Sequence, residues 1–510
     1  MTEAIQQLNG AISLIAPEAV LIASVCLIFF AAPFLVNERG EAPAGLRHRW
    51  GFLSLLTLII AAIMWWQQSP VPRTMGPFVL DELTWFIRGL TLTFGGILVL
   101  LHWNQADDSR SAESHACLLA ILAGVNLIAA ANDLIGLFVA LELVSIPTYL
   151  FLLLPRRDAP AQEATLKYFL LSIFSSAIVL FGMSYLYGAT GTTSLAGIHA
   201  AFSAGPHAVN PLVSVAAVML IAGLGFRLTA VPFHFYAPDV FQGAPTSAAA
   251  MLSFVPKIAG FVALLRLMVP ATGAEQTVTS WSMTPAALPL IWWLAVITMF
   301  VGNLMALMQT DIRRLLAYSS VSHAGYMMVG LIVGMKHEIL KGAIPQSVSG
   351  IGAMLFYLAV YGAMTLGTFA ILIAASRANK RIETYDDLSG LSQMRPGLAL
   401  VLAVFLFSLA GLPPTAGFLG KLNLFFAAWS QGDESSRWLA VILAINAALG
   451  AWYYLKIIGY MFLRDPIDRS DPEAVPEAPS LIAAGLCLVG TIGLFFLPGW
   501  LWVPIQNIMP

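Results

Sequence analysis

Apolar residues run along this chain in blocks of roughly twenty, separated by short stretches rich in polar residues, proline or glycine. About 20 apolar residues are what a helix needs to cross the hydrocarbon of a bilayer. The blocks show no period-two alternation, and open strand edges find no partner in lipid, so they predict helices rather than a barrel. Blocks against breaks give about fourteen spans, near residues 11–36, 51–67, 79–103, 114–132, 133–154, 164–188, 212–236, 245–270, 286–308, 313–334, 351–376, 397–429, 437–463 and 479–503. The expected fold class is therefore all-α, a polytopic membrane protein forming one integral membrane domain over 1–510. No loop is long enough for a separate soluble domain. The opening "MTEAIQQLNG" carries no basic residue and the first span contains Glu18, which argues against a cleaved signal peptide.

Composition agrees with the pattern. Of 510 residues 59% are hydrophobic and 10% charged, against about 25% charged in a soluble domain. Mean hydropathy is +0.82. With the N-terminus outside the cytoplasm, the loops expected inside hold fourteen lysines and arginines and those outside hold four. That is a strong positive-inside bias, and an even span count puts both termini on the non-cytoplasmic side. A net charge of −2 with no basic tail gives no reason to expect nucleic acid as a partner. Cys26, Cys117 and Cys487 are scattered, so neither a disulfide framework nor an iron–sulfur site is expected. His102 and His115 bracket a polar loop rather than sharing a helix face, which argues against a haem. No metal site, cofactor or redox centre is expected in this chain.

The seven remaining basic residues fall inside spans: Arg88, Lys167, Arg227, Lys257, Arg266, Lys421 and Lys456. An ionisable group at mid-membrane costs about 2.5–3.5 kcal/mol on insertion scales. Arg88 and Arg266 read as side chains that snorkel or pair locally. Lys167, in "QEATLKYFLL", and Lys456, in "AWYYLKIIGY", are ambiguous between structure and pathway. Lys257 lies midway along its span, directly after Pro256; Lys421 lies deep after "AGLPPTAGFLG"; Glu142 is the sole carboxylate between Asp133 and Asp158. Desolvation drives a buried lysine toward its neutral form, and a nearby carboxylate holds it charged. Two unit charges about 7 Å apart interact by roughly 2.4 kcal/mol at an effective dielectric near 20. Weakening that attraction would release a proton.

The stretch "GFRLTAVPFHFYAPDVFQGAP", residues 225–245, interrupts a span with charge and proline. Pro232 here, and Pro413 with Pro414 in "AGLPPTAGFLGK", each remove a backbone donor and displace a carbonyl one turn earlier. Such freed groups are tolerated at membrane depth where they face protein or water. Interrupted helices in corresponding places of two halves point to a transport pathway. The two breaks lie about 180 residues apart, a hint of internal duplication.

Four segments carry a resemblance over nearly the whole chain: "RLTAVPFHFYAPDVFQGAPTSAAAMLSFVPKIAGF", "DIRRLLAYSSVSHAGYMM", "ETYDDLSGLSQMRP" and "LAGLPPTAGFLGKLNLF". Together they resemble the antiporter-like membrane subunits of respiratory complex I. The wording "PDVFQGAP" narrows the likeness to one of that family's subunit classes, and the chain's end soon after its last span departs from the class with a long lateral helix. The resemblance implies two inverted five-helix repeats, 114–270 and 286–463, with helices 7 and 12 broken. It implies a proton pathway through Glu142, Arg227, Lys257, His323 and Lys421, with Lys167, His234 and Lys456 as further candidates. His323, in "SSVSHAGY", would read by itself as a buried polar histidine. The family usually has lysine where Arg227 stands, and an arginine cannot release its proton in a protein. Arg227 is therefore expected to act as a fixed cation that pairs with Glu142, and His234 as a hydrogen-bonding residue at the break. No catalytic residue is expected in this chain.

The resemblance further implies a hetero-oligomer in a cell inner (plasma) membrane, with neighbouring antiporter-like subunits as partners. FMN, iron–sulfur clusters and quinone would belong to partner subunits. The rival readings are a subunit of a multi-subunit Na⁺/H⁺ antiporter, which shares the "VPFH" and "PPTAGFLGK" style, and a scaffold whose charges only hold helices together. A quinone-binding enzyme finds no motif here.

Overall fold

The computed structural model describes residues 10–37, 41–156, 158–203, 211–268, 284–339, 349–376, 382–467, 478–506 and 508. Its long helices are α1 (Ala16–Ala31), α2 (Leu46–Gln67), α3 (Glu82–His102), α4 (Ser111–Ala130), α5 (Leu134–Leu153), α6 (Ala159–Thr190), α7 (Pro211–Leu228), α8 (Thr246–Met268), α9 (Thr284–Leu307), α10 (Ile312–Ile339), α11 (Gly350–Ala375), α12 (Pro396–Ala410), α13 (Ala416–Ser430), α14 (Glu434–Leu463) and α15 (Ala478–Phe496). Among the described residues thirteen helices are long and apolar enough to cross a membrane. The interrupted pair α12 and α13 occupies the remaining expected span, 397–429, the twelfth along the chain. The protein is a multi-pass membrane protein.

The hydrophobic pattern locates these helices closely, because in lipid an apolar block has one way to satisfy its backbone. Asparates at the block edges set several of the starts. Asp81, Asp133, Asp158 and Asp433 each stand at an N-cap and accept from a backbone N–H of the first turn. A small hairpin, Arg73–Met75 with Phe78–Leu80, was not expected; Gly76 turns it at φ +57°.

Both breaks follow one rule. α7 ends at Leu228, four residues before Pro232, and α12 ends at Ala410, four residues before Pro414. A proline ring collides with the carbonyl four residues back, so the helix stops there. The next residue is left-handed in both cases, Thr229 at φ +56° and Gly411 at φ +84°. Pro256 behaves otherwise, for α8 runs through it without interruption.

The chain divides into two units. The first comprises Met1–Leu228, Val255–Ile291 and Asn507–Pro510. In it α6 and α7 pack most closely, at glycines: a Cβ on Gly223 would lie 2.4 Å from Val179 Cγ2 and 3.0 Å from the Ser175 carbonyl oxygen. Two intramembrane arginines are fixed here by local pairing. Arg88 is fully buried, with Nε 2.7 Å from Glu18 Oε1 and Nη1 2.7 Å from Gln68 Oε1. Arg266 holds both Asp81 carboxylate oxygens at 2.6 and 2.7 Å and the Ala129 carbonyl at 2.7 Å. Neither snorkels.

The second unit comprises Thr229–Phe254 and Trp292–Gln506. The described side chains of α10 and α11 are buried almost throughout, and glycines bring these helices together, Gly330 and Gly334 against Gly350 and Ile351. Arg313 and Arg314, expected in an inside loop, lie instead in the first turn of α10. Arg313 Nη1 donates to the carbonyls of Gln242 and Ala244, and Arg314 pairs with Asp239 at 2.6 Å. Both thus grip the "PDVFQGA" segment. Arg39, Arg157, Lys341, Arg377, Lys380, Arg381 and Arg469, also used in the loop-charge argument, lie outside the described residues.

Candidate functional site

In the first unit the site is built on α5, α6, α7 and α8. Glycine packing sets α7 against α6, which carries Ser176 to Glu142 and Arg227 to α5. Glu142 Oε1 accepts from Ser176 Oγ at 2.5 Å and lies 3.7 Å from Arg227 Nη2. The same Nη2 donates to Ser145 Oγ at 2.7 Å and to the Leu141 carbonyl at 3.1 Å. Two charges at this separation attract by about 4 kcal/mol at an effective dielectric of about 20. Lys257, fully buried on α8, sits one turn before Gly260, where a Cβ would come 2.7 Å from Leu228 Cδ2 and 3.4 Å from Arg227 Cβ. The Lys257 helix is thus seated directly on the turn that carries Arg227.

Glu142 is not enclosed. The outward stripe of α5 reads Ile135, Val139, Glu142, Ile146, Leu150 at helical spacing. The four apolar members are exposed, and the Glu142 side chain is 25% exposed. Lys167, one of the further candidates, is occupied elsewhere: its Nζ pairs with Glu163 at 2.6 Å on an exposed turn of α6.

In the second unit Lys421 lies under the break. Its Nζ donates to the carbonyls of Leu409 and Ala410 at 2.8 and 2.9 Å, the groups left open where α12 stops, and it lies 5.3 Å from the centre of the Tyr326 ring. Gly411 provides the room, since a Cβ there would lie 2.8 Å from Lys421 Cδ. His323, on α10, uses both ring nitrogens: Nδ1 is 2.6 Å from Tyr357 Oη and Nε2 is 3.0 Å from Tyr454 Oη. Tyr454 Oη also pairs with Ser319 Oγ. Beside this chain, Asn303 joins Tyr326, Tyr453 and Asn446. His234 is half-buried with Nδ1 unpartnered, and its carbonyl accepts from Ala237 N at 3.0 Å. Lys456 packs its ammonium 4.5 Å from the Tyr385 ring centre. Pro232, Pro413 and Pro414 are exposed. No group of three or more His, Cys, Asp or Glu side chains is placed to hold a metal among the described residues.

A family described as NADH:quinone oxidoreductase/Mrp antiporter, TM, matches residues 131–450, which include all of these side chains except Tyr453, Tyr454 and Lys456. The chain belongs to that family. Among its members, the chain is 36% identical to NADH-quinone oxidoreductase subunit N 1 of Solibacter usitatus over 490 residues, 95% of this chain and 94% of the relative. It is 37% identical to subunit N of Trichlorobacter lovleyi over 454 residues, 87% and 88% of the two chains. A chain of respiratory complex I from Thermus thermophilus, solved with bound aureothin, superposes with TM-score 0.74 at 29% identity, covering 96% of this chain and 98% of that one. The Mrp complex of Dietzia sp. DQ12-45-1b gives TM-score 0.75 at 22% identity, covering 96% of both chains, a likeness of fold alone. Within the family the likeness is to the antiporter-like membrane subunits of complex I, most closely subunit N.

Several groups of this site were invisible to sequence reasoning. Ser145, Ser176, Ser319, Tyr357 and Tyr454 look like ordinary residues of apolar spans. A usable signal was their position: Ser145 lies three residues from Glu142, one helical turn, and the "YY" of "AWYYLKIIGY" places two phenols in a span that also carries a lysine.

Proposed function

We propose that this chain is the proton-translocating, membrane-arm subunit N of an NADH:quinone oxidoreductase. It moves protons along a polar axis of Glu142, Arg227, Lys257, His323 and Lys421 while partner subunits carry electrons from NADH to quinone. The observation that carries this reading is the Glu142–Arg227 contact of 3.7 Å, at membrane depth on the turn against which the Lys257 helix packs. Arg227 keeps its charge at all working pH values, so it serves as the fixed member of the set. Lys257 and Lys421 are the members that load and release. Moving one charge against 100 mV requires about 2.3 kcal/mol. The Glu142–Arg227 attraction, about 4 kcal/mol before desolvation is subtracted, is of the same order as that step, so a change in Glu142's partnership can bias the proton on a buried lysine.

The deciding experiment is an assembled complex carrying Lys257→Ala or Glu142→Ala. Loss of pumping at intact assembly supports the reading, and a normal proton-to-electron ratio in both variants refutes it. If neutralising Lys257 disrupts assembly before transport, the charges are scaffolding.

Paired local features support two inverted repeats at 114–270 and 286–463. Asp133 caps α5 through Ile135 N and Gly136 N, at 2.8 and 3.2 Å, and bridges to Ser194 after α6. Asp311 caps α10 through Arg313 N and Arg314 N, at 2.8 and 3.0 Å, and bridges to Thr384 after α11. Five helices separate the two starts along the chain, an odd number, which is what inverted repeats require.

The outward stripe of α5 supports a neighbouring membrane-arm subunit as the partner covering Glu142. FMN, iron–sulfur clusters and quinone belong, on this reading, to other subunits. The bacterial relatives support a cell inner membrane as the location, and the loop charges support both termini on the non-cytoplasmic side. A multi-subunit Na⁺/H⁺ antiporter is the second reading; it rests on the shared fold, while the sequence relatives favour complex I.

A further inference from the structure

We infer that the phenol hydroxyls of Tyr357 and Tyr454 are proton-relay groups on either side of His323. The inference rests on the reading that protons pass His323, and it names what hands them on.

Four side chains from three helices of the second unit form one hydrogen-bonded line: Tyr357 on α11, His323 on α10, Tyr454 on α14, and Ser319 one turn back on α10. None is more than 2% exposed. A neutral imidazole has one N–H and one lone pair, so with both nitrogens engaged one phenol must donate and the other accept. The line therefore has a direction. In one state Tyr357 donates to Nδ1, the Nε2 proton goes to Tyr454, and Tyr454 donates to Ser319. A protonated ring would instead donate to both phenol oxygens. Both oxygens already stand at hydrogen-bonding distance from the ring nitrogens, so this exchange of donors needs no heavy atom to move.

The transfer balances without any electron carrier. A proton arriving at Tyr357 Oη forms one O–H bond while the phenol's own O–H proton moves to Nδ1. The Nε2 proton passes to Tyr454 Oη, whose proton passes to Ser319 Oγ, whose proton leaves. One proton has entered and one has left, and the line now points the other way. Rotation of the hydroxyls and exchange of the ring tautomer reset it.

The Tyr357 end leads toward Lys421. A Cβ on Gly420 would lie 2.4 Å from Tyr357 Cδ2, so this ring is held against the turn that carries Lys421. Tyr326 lies between the two groups, its ring 5.4 Å from that of His323 and 5.3 Å from Lys421 Nζ. Hydrogen bonds that merely satisfied a buried histidine would serve as well with any phenol acidity. A relay would not.

The test uses the intact complex in native membranes. Tyr357→Phe and Tyr454→Phe keep each ring and remove the hydroxyl. Each is expected to lower proton pumping by about tenfold or more, with the assembled amount, read from NADH oxidation by an artificial acceptor, unchanged. Site-specific 3,5-difluorotyrosine at 454 keeps the hydrogen bonds but makes the phenol more acidic, and should move the pH dependence of pumping to lower pH. His323→Ala and Lys257→Ala run alongside. Parental pumping in both phenylalanine variants, or in His323→Ala alone, overturns the inference while leaving a pathway through Lys257 standing. Parental pumping in Lys257→Ala and His323→Ala together overturns the proposed function itself. If the phenylalanine variants do not assemble, the fluorotyrosine decides, and an unmoved pH dependence overturns the relay.

Discussion

Lys421 closes the end of α12: its Nζ donates to the carbonyls of both Leu409 and Ala410, the last residues before the double-proline break. An ammonium has three N–H donors and a neutral amine has two. The side chain can therefore give up one proton and keep both carbonyl bonds. Release of the proton and integrity of the break are chemically separate.

The first prediction follows from that count. Lys421→Arg keeps donors at the break but cannot release a proton, so the complex should assemble and pump poorly. Lys421→Met strands two carbonyls, each costing about 1–3 kcal/mol, so it should lower the assembled amount as well. Complex abundance on native gels, measured with pumping in inverted vesicles, separates the two. Equal behaviour of the variants would reject the separation.

Arg227 supplies the second. Arg227→Lys keeps the cation beside Glu142 and should preserve most pumping, whereas Arg227→Gln removes it and should reduce pumping severalfold at normal assembly. The proton-to-electron ratio is the readout. Undiminished pumping in the glutamine variant would remove Arg227 from the mechanism.

A third concerns Asp81 at the start of α3. Burial pushes its carboxyl up, but the Arg266 charge and the bonds from Arg266 and Thr84 outweigh burial and bring it down to about 2. An unfolded aspartate titrates near 3.9. The pair's contribution is therefore complete above about pH 4 and is lost as pH falls toward about 2. No pH dependence from this pair is expected near neutrality. Asp81→Asn should destabilise by about 3–5 kcal/mol, because it leaves the buried Arg266 charge without its partner. Adding Arg266→Met should recover much of the loss. Thermal unfolding of the detergent-solubilised complex tests both, and a single variant as stable as the parent would refute the assignment.

The fourth is steric. Gly420→Ala would push a methyl group against the Tyr357 ring, at 2.4 Å from Cδ2 before any adjustment. The ring has no space to yield in a fully buried site, so its bond to His323 should lengthen and pumping should fall. Gly459 on α14, with nothing near its missing Cβ, is the control: Gly459→Ala should leave pumping unchanged. A silent Gly420→Ala would show that the Tyr357 position is not critical.

The fourteen spans and the two breaks were legible in the sequence because each follows from a local rule. Apolar length fixes a span, and a proline fixes the end of a helix four residues earlier. Glu142, Arg227, Lys257 and Lys421 were legible for a related reason, since charge inside an apolar block is conspicuous. What was illegible depends on helix-to-helix facing. Nothing local distinguishes Tyr357 from a tyrosine that faces lipid, and nothing local assigns Arg88 to Glu18, seventy residues away. Lys167 read as ambiguous between structure and pathway because it is a lysine near the end of a span. The structure adds an ion pair with Glu163, one turn away, which the spacing alone could have suggested. The hairpin at Arg73–Leu80 was hidden because a short polar loop carries no hydrophobic period to read.

The open stripe of α5 bears on the life of the chain before assembly. Until a neighbour arrives, Glu142 stands among Ile135, Val139 and Ile146 with a quarter of its side chain uncovered. Its Arg227 and Ser176 contacts satisfy one side of the carboxylate and leave the other at the helix surface. A neighbouring subunit docked on this stripe would withdraw the carboxylate from the lipid boundary together with the apolar residues around it.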